Sequence, residues 1–266
     1  MKNLDLELKI VKELALRVGH ILTTKQKSKL EVFLKNDGSS VTNIDREISQ
    51  LISKELKNQF PTYGILDEEI NAETKNDERF DNDFCWFIDP LDGTISYIKN
   101  QDTYGVFIGL THKLKPVLGV TYQPNLGELC YATKSNGAYI EKNNQKQILT
   151  VNKNTEIHTL TSYFRNDPEL NKLLNKINPK TTTPMPSSLK TIEVAKGNYN
   201  LSICPRESYM NLWDFCAPQI ILEEAGGKIT DLCGNLIDYA GCIINKKGAL
   251  ASNGIIHENI IYKLKN

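Results

Sequence analysis

Five short apolar runs between Cys85 and Ile140 (CWFI, VFIGL, VLGVTY, ELCYA and AYI) are separated by turn residues that include Pro90, Pro124-Asn125 and Asn136-Gly137. Connections this short join antiparallel neighbours, so the stretch predicts a sheet built from hairpins. Two amphipathic segments precede it. Leu4, Leu8, Val11, Ala15, Val18 and Leu22 recur at three- and four-residue steps and line one face of a first helix. Ile44, Ile48, Leu51, Ile52 and Leu56 do the same from about Thr42 to Asn58, with Thr42 or Asn43 as the cap and Phe60-Pro61 as the stop. The polar stretch from Asn71 to Asp83 reads as an exposed, mobile loop or hairpin. Beyond residue 150 the texture alternates. Helices are expected near Pro168 to Ile177 and Ser188 to Lys196, a strand at Leu201 to Ile203, and a helix ending before Gly226-Gly227. The predicted division is an N-terminal α+β half, residues 1–150, and a C-terminal α/β half, residues 151–266, that completes the site.

Of the 266 residues 40% are apolar, enough to bury a core of that size. Lys+Arg and Asp+Glu total 32 each, so no net field draws the chain to nucleic acid or to an anionic membrane. An anionic substrate must therefore be held by local charge. Charges interrupt the first 22 residues every few positions, which excludes a signal peptide or a membrane span there. The 6 cysteines include no C-x-x-C pair, against a zinc knuckle or a thioredoxin-like motif. Reduced thiols in a cytoplasmic protein are the simplest account.

Three acidic segments carry the chemistry. In Trp86 to Thr94, WFIDPLDGT, an apolar strand runs into Asp89 and Asp92, with Pro90 fixing the turn between them. Both carboxylates can share one small volume with the freed carbonyl between them, the oxygen set that hard divalent cations take. Gly93 and Thr94 follow with two N–H groups and a hydroxyl, a cradle for an anion if a helix or nest starts there. Asp67-Glu68-Glu69 crowds three acids after the apolar pair Ile65-Leu66, either as a solvated corner or around a cation. In WDFCAP, Pro218 is tolerated in a first helical turn, which places the helix start just after Asp214. Asp214 is then a cap or a metal ligand.

Together these segments resemble the inositol monophosphatase family of Mg²⁺-dependent, lithium-sensitive phosphatases. The matching motifs are KNDGSSVTNID (Lys35 to Asp45), ILDEE (Ile65 to Glu69), WFIDPLDGT, and WDFCAPQIILEEAGG (Trp213 to Gly227). The resemblance implies a layered αβαβα sandwich of the inositol monophosphatase and fructose-1,6-bisphosphatase type. It also implies two or three Mg²⁺ ions on Glu68, Asp89, Asp92, Asp214 and the Leu91 carbonyl. Asp45 and Thr94 match a pair that activates the attacking water, with Glu68 counted among the catalytic residues, and the Gly93 and Thr94 backbone matches the phosphate cradle. The implied partner is a small-molecule phosphate ester, with no nucleic acid and no membrane insertion; a homodimer is compatible with the sequence.

Smaller features bear on the ester. Ile95-Ser96-Tyr97-Ile98-Lys99, Pro186-Ser187-Ser188-Leu189-Lys190 and Lys115 to Ala132 are similar to the 3'(2'),5'-bisphosphate nucleotidase branch. In that branch Ser187, Ser188 and Lys190 are expected at the phosphate that is not cleaved; otherwise Ser188 caps a helix and Lys190 is solvated. Inositol-1-monophosphatase and fructose-1,6-bisphosphatase are the alternatives. Pro186, Asp67 and Cys216 depart from the family pattern, which has glycine, a small residue and alanine there.

Overall fold

The structure, a computed structural model, describes residues 2–27, 30–35, 40–74, 77–162, 167–206 and 210–266. Helix α1, Asp5–Lys25, buries Val11, Ala15, Val18 and Leu22 of the stripe that the spacing predicts, and Leu14 with them. Strands β1, Val32–Leu34, and β2, Ser40–Thr42, form an antiparallel pair. Thr42 then caps α2, Asn43–Gln59: its hydroxyl accepts from the N–H groups of Ile44 and Asp45, and the Asp45 carboxylate accepts from the Thr42 N–H at 2.8 Å. This reciprocal cap satisfies two otherwise orphaned donors and fixes Asp45 in the first turn of α2.

Strand β3, Gly64–Asp67, runs into α3, Glu68–Thr74, and β4 covers Phe84–Asp92 before the short helix α4, Thr94–Ile98. Strands β5, Gly105–His112, β6, Lys115–Gln123, β7, Glu128–Thr133, β8, Ala138–Lys142, and β9, Gln145–Ile148, complete a seven-stranded sheet in sequential order. From β4 onward every pairing is antiparallel, as the short turns require. The β3–β4 pair is parallel, so Asp67 and the acids of β4 emerge at the same edge of the sheet.

The connection between these two strands differs from the exposed loop expected for Asn71 to Asp83. Helix α3 continues to Thr74, residues 75 and 76 lie outside the described set, and a 3₁₀ turn follows at Glu78–Phe80. Arg79 in that turn is buried. Its guanidinium meets Asp77 at 2.6 Å and the carbonyls of Tyr239 and Gly241 at 2.9 Å each. A planar fork filled by a carboxylate and two carbonyls can leave water without orphaned donors. The distant carbonyl partners explain why local polarity misreads the segment.

The second half contains β10, His158–Thr161, α5, Pro168–Ile177, β11, Thr181–Pro184, α6, Leu189–Ala195, and β12, Leu201–Cys204. It continues with α7, Leu212–Glu224, β13, Lys228–Thr230, β14, Ala249–Ser252, and α8, His257–Lys265. Its five strands are ordered β11-β10-β12-β14-β13. Helices α1 and α2 cover one face of the first sheet, α6 and α7 fill the space between the sheets, and α5 and α8 cover the far side. The alternation along β14 shows this directly: Ala249 and Ala251 join the core around α7, while Leu250 joins the core with α5 and α8. The fold is a layered αβαβα sandwich, and α7 from the second half packs on the first sheet.

Helix α7 approaches its sheet so closely that only glycine fits beneath it. A Cβ added at Gly109 would lie 2.5 Å from Cys216 Sγ, and one at Gly119 2.5 Å from the Ala217 carbonyl. The helix begins at Leu212, ahead of Asp214, which corrects the start inferred from Pro218. Pro218 sits inside the helix, where its ring cannot donate to the Asp214 carbonyl. The start is set instead by the Leu212 N–H on the Ile243 carbonyl at 3.0 Å and by the Asn211 N–H on Asp214 Oδ2 at 2.6 Å.

Candidate active site

In a regular strand, residues three apart face opposite sides. Strand β4 pairs with β5 through Asp89 opposite Phe107 and then through Asp92 opposite Gly105, so β4 carries one extra residue between the two pairs. Pro90, unable to donate to a ladder, lies within this bulge. The extra residue returns Asp89 and Asp92 to one side. There they meet Asp214 from the first turn of α7, with one carboxylate oxygen from each of the three lying within 4.8 Å of one another.

Three acids in one cleft repel one another, and the strain appears in their protonation. Burial, followed by the fields of Glu68, Asp92 and Asp214, raises Asp89 well above the usual carboxylate range. Desolvation in the cleft, with the fields of Asp92 and Glu68, pushes Asp214 up to about 8. A hard divalent cation would relieve this repulsion, and an all-oxygen donor set is what such an ion takes. The donors present therefore fit Mg²⁺.

Glu68, the fourth expected ligand, opens α3 at the end of β3. Its carboxylate accepts from Lys35 Nζ at 2.6 Å, and the same ammonium reaches Glu69 at 2.6 Å. Lys35 heads the KNDGSSVTNID motif but carried no role in the sequence reading; residues 36–39 of that motif lie outside the described set. The signal available was a lone cation preceding a run of small polar residues. Burial and the nearby Glu68 push Glu69 up to about 7, while the carboxylates around Lys35 outweigh its desolvation and raise it.

Asp45 and Thr94 meet across the site. Thr94 Oγ1 lies 3.0 Å from Asp45 Oδ1 and 3.1 Å from the Leu91 carbonyl, and Asp45 Oδ2 takes the Thr42 hydroxyl at 2.5 Å. Burial raises the Asp45 pKa against these hydrogen bonds. Gly93, at φ 82°, is the residue before α4, which starts at Thr94.

The turn before α6 was expected at a second phosphate. Its groups instead point to Asp92. Ser187 Oγ is in hydrogen-bond contact with Asp92 Oδ2, and the Ser188 N–H lies 3.1 Å from each oxygen of the same carboxylate. Lys190 is buried rather than solvated, its ammonium 2.9 Å from the Ser187 carbonyl. Ser188 precedes α6 without a side-chain cap bond.

Among the described residues no helix is long and apolar enough to cross a membrane. Comparison with known proteins gives a consistent picture. The chain is 32% identical over 210 residues to the 3'(2'),5'-bisphosphate nucleotidase CysQ of Salmonella typhimurium, covering 79% of this chain and 83% of that one. It is 30% identical over 268 residues to a histidinol-phosphatase of Chlorobaculum parvum, covering 98% and 97%. The solved structure of a Thermotoga maritima IMPase superposes with a TM-score of 0.82 at 26% identity, over 97% of this chain and 96% of that one. A sequence model described as the inositol monophosphatase family matches residues 3–266. The chain belongs to the inositol monophosphatase family, and with it to the phosphoric monoester hydrolases.

Proposed function

We propose that the chain is a Mg²⁺-dependent 3'(2'),5'-bisphosphate nucleotidase, converting 3'-phosphoadenosine 5'-phosphate to AMP. The observation that carries the hydrolytic chemistry is the convergence of Asp89, Asp92 and Asp214 in one volume, beside the Thr94–Asp45 hydrogen bond. Glu68, Asp89, Asp92, Asp214 and the Leu91 carbonyl would hold two or three Mg²⁺ ions. Ions held there would supply polarisation of the phosphate oxygens and lower the pKa of a water. The Thr94 hydroxyl donates to Asp45 Oδ1, and its oxygen accepts a hydrogen bond from the attacking water. Asp45, raised by burial, takes the proton through Thr94. The N–H groups of Gly93 and Thr94 hold the phosphate in line.

The nucleotide assignment rests on the Ile95 to Lys99 and Lys115 to Ala132 segments and on the similarity to the Salmonella nucleotidase. Ile95 and Lys99 are both exposed and lie one helical turn apart just after Thr94, an apolar and a cationic group suited to a nucleoside and its second phosphate. Inositol 1-phosphate and fructose 1,6-bisphosphate remain the competing substrates, and histidinol phosphate joins them through the Chlorobaculum relative. Phosphate release from all four esters, with and without Mg²⁺, tests the assignment. The nucleoside bisphosphate should give the highest kcat/KM, and a preference for any of the other three would sink the nucleotidase reading.

A further inference from the structure

We infer that Ser187 and Lys190 are positioning residues for Asp92, setting the affinity of the site for its divalent cation and not the choice of ester. The inference rests on the reading of Asp92 as a metal ligand.

The direction of the Ser187 hydroxyl is fixed by its neighbours. Its oxygen accepts the Leu189 N–H at 3.1 Å, so its own proton is left to donate to Asp92 Oδ2. The Ser188 N–H, shared between the two Asp92 oxygens, adds a second donor from the same turn. Lys190 ties that turn shut, because its ammonium and its own N–H both reach the Ser187 carbonyl, at 2.9 and 3.3 Å. All three residues are buried, with Ser187, Ser188 and Lys190 each 5% exposed, which leaves little of them to meet a substrate from solution.

Asp92 needs such support more than Asp89 does. It follows the bulge in β4, where only the Gly105 pairing resumes, and it stands among acids of like charge. Burial raises its pKa, and the donors on its carboxylate, with the Lys190 charge, oppose that rise. They also fix which lone pairs remain directed at the cleft. Groups that orient a metal ligand in this way commonly set metal affinity or activity within a factor of about 10 to 100.

The clamp also crosses the molecule. Asp92 belongs to the first sheet, whereas the Ser187 turn belongs to the second half. The carboxylate is therefore oriented only when the two halves are docked.

The test is a titration of the full-length chain with Mg²⁺ alone, followed by calorimetry and containing no ester. Ser187→Ala should weaken binding by about 10- to 100-fold, and Ser187→Thr, which keeps the hydroxyl, should recover most of it. Lys190→Met should weaken it in the same direction and serves as the second reporter where Ser187→Ala lowers the yield of folded protein. Each variant, assayed at one Mg²⁺ concentration below saturation, should then lose activity by a similar factor on a nucleoside bisphosphate and on a monophosphate. Wild-type metal affinity in both Ser187→Ala and Lys190→Met would overturn the inference. So would a loss confined to the bisphosphate, which would return Ser187 and Lys190 to the uncleaved phosphate. Because the titration contains no ester, a wild-type chain that prefers another substrate would defeat the nucleotidase reading while leaving the metal result to stand by itself.

Discussion

Replacing Gly119 with alanine should disable the site from beneath. The new methyl would stand 2.5 Å from the Ala217 carbonyl and 2.6 Å from Ile220 Cγ2, where ordinary contact begins at 3.4 Å. The first of these is backbone, which no rotamer change can move aside, so α7 must lift from β6 by close to an ångström. Overpacking of this kind costs about 1–3 kcal/mol, a fall in Tm of roughly 2–10 °C for a chain of this length. The larger effect is geometric. Asp214 rides on the first turn of α7, and a misplacement of about 1 Å at reacting groups lowers turnover by roughly 100-fold. The assay pairs thermal unfolding with phosphate release at saturating Mg²⁺, well below the variant's Tm. A variant that loses stability yet turns over normally would show that α7 height does not set the position of Asp214; one unchanged in both would refute the packing argument itself.

Asp89→Asn and Asp92→Asn keep the side-chain shape and remove the charge, so each should abolish Mg²⁺-dependent phosphate release while leaving the circular dichroism spectrum intact; near-normal turnover in either would mean the ligands are misassigned. In the metal-free chain Asp214 holds its proton up to about 8, whereas an unfolded carboxyl releases it near 4. The stability from this group is full below the ordinary carboxylate range and is lost as pH rises towards about 8. The metal-free Tm should therefore fall between about pH 5.5 and 8.5, with Mg²⁺ restoring more at the higher pH, and a metal-free Tm that rises across this range would contradict it. Asp67→Ala should cost about 2–4 kcal/mol by denaturant unfolding, because it strips acceptors from the buried Ser49 and Ser53 hydroxyls, now at 2.6 and 2.9 Å, and from the Glu69 N–H at 3.0 Å. A loss under about 0.5 kcal/mol would show that those donors find other partners.

Local signals account for much of this fold. The stripe of α1, the cap of α2 at Thr42 and the run of strands from Phe84 all arise from periodicity and turn chemistry within a few residues of one another. The acids of the site were legible for the same reason, since Asp89 and Asp92 sit together at a strand end. What was not legible depends on partners distant in sequence. The Asn71 to Asp83 stretch looks soluble until Arg79 finds carbonyls near residue 240. Pro218 looks like a helix start until the Ile243 carbonyl holds the chain earlier, at Leu212. Lys190 looks like a surface cation by type, and only the closure of its turn buries it.

The acids of the site come from separate parts of the sandwich: Asp89 and Asp92 end a strand of the first sheet, while Asp214 opens a helix lying between the two sheets. No contiguous piece of the chain contains that set within a few turns, so the unfolded chain has almost nothing with which to compete for the ion. The free energy of loading is then spent in full on keeping the layers together, growing with the logarithm of free Mg²⁺ above its dissociation constant. Amide hydrogen exchange should register this as slowed opening at the seam between α7 and the first sheet, leaving the outer helix α8 at its metal-free rate. A fall in free Mg²⁺ would on this account shorten the lifetime of the protein as well as slow its chemistry.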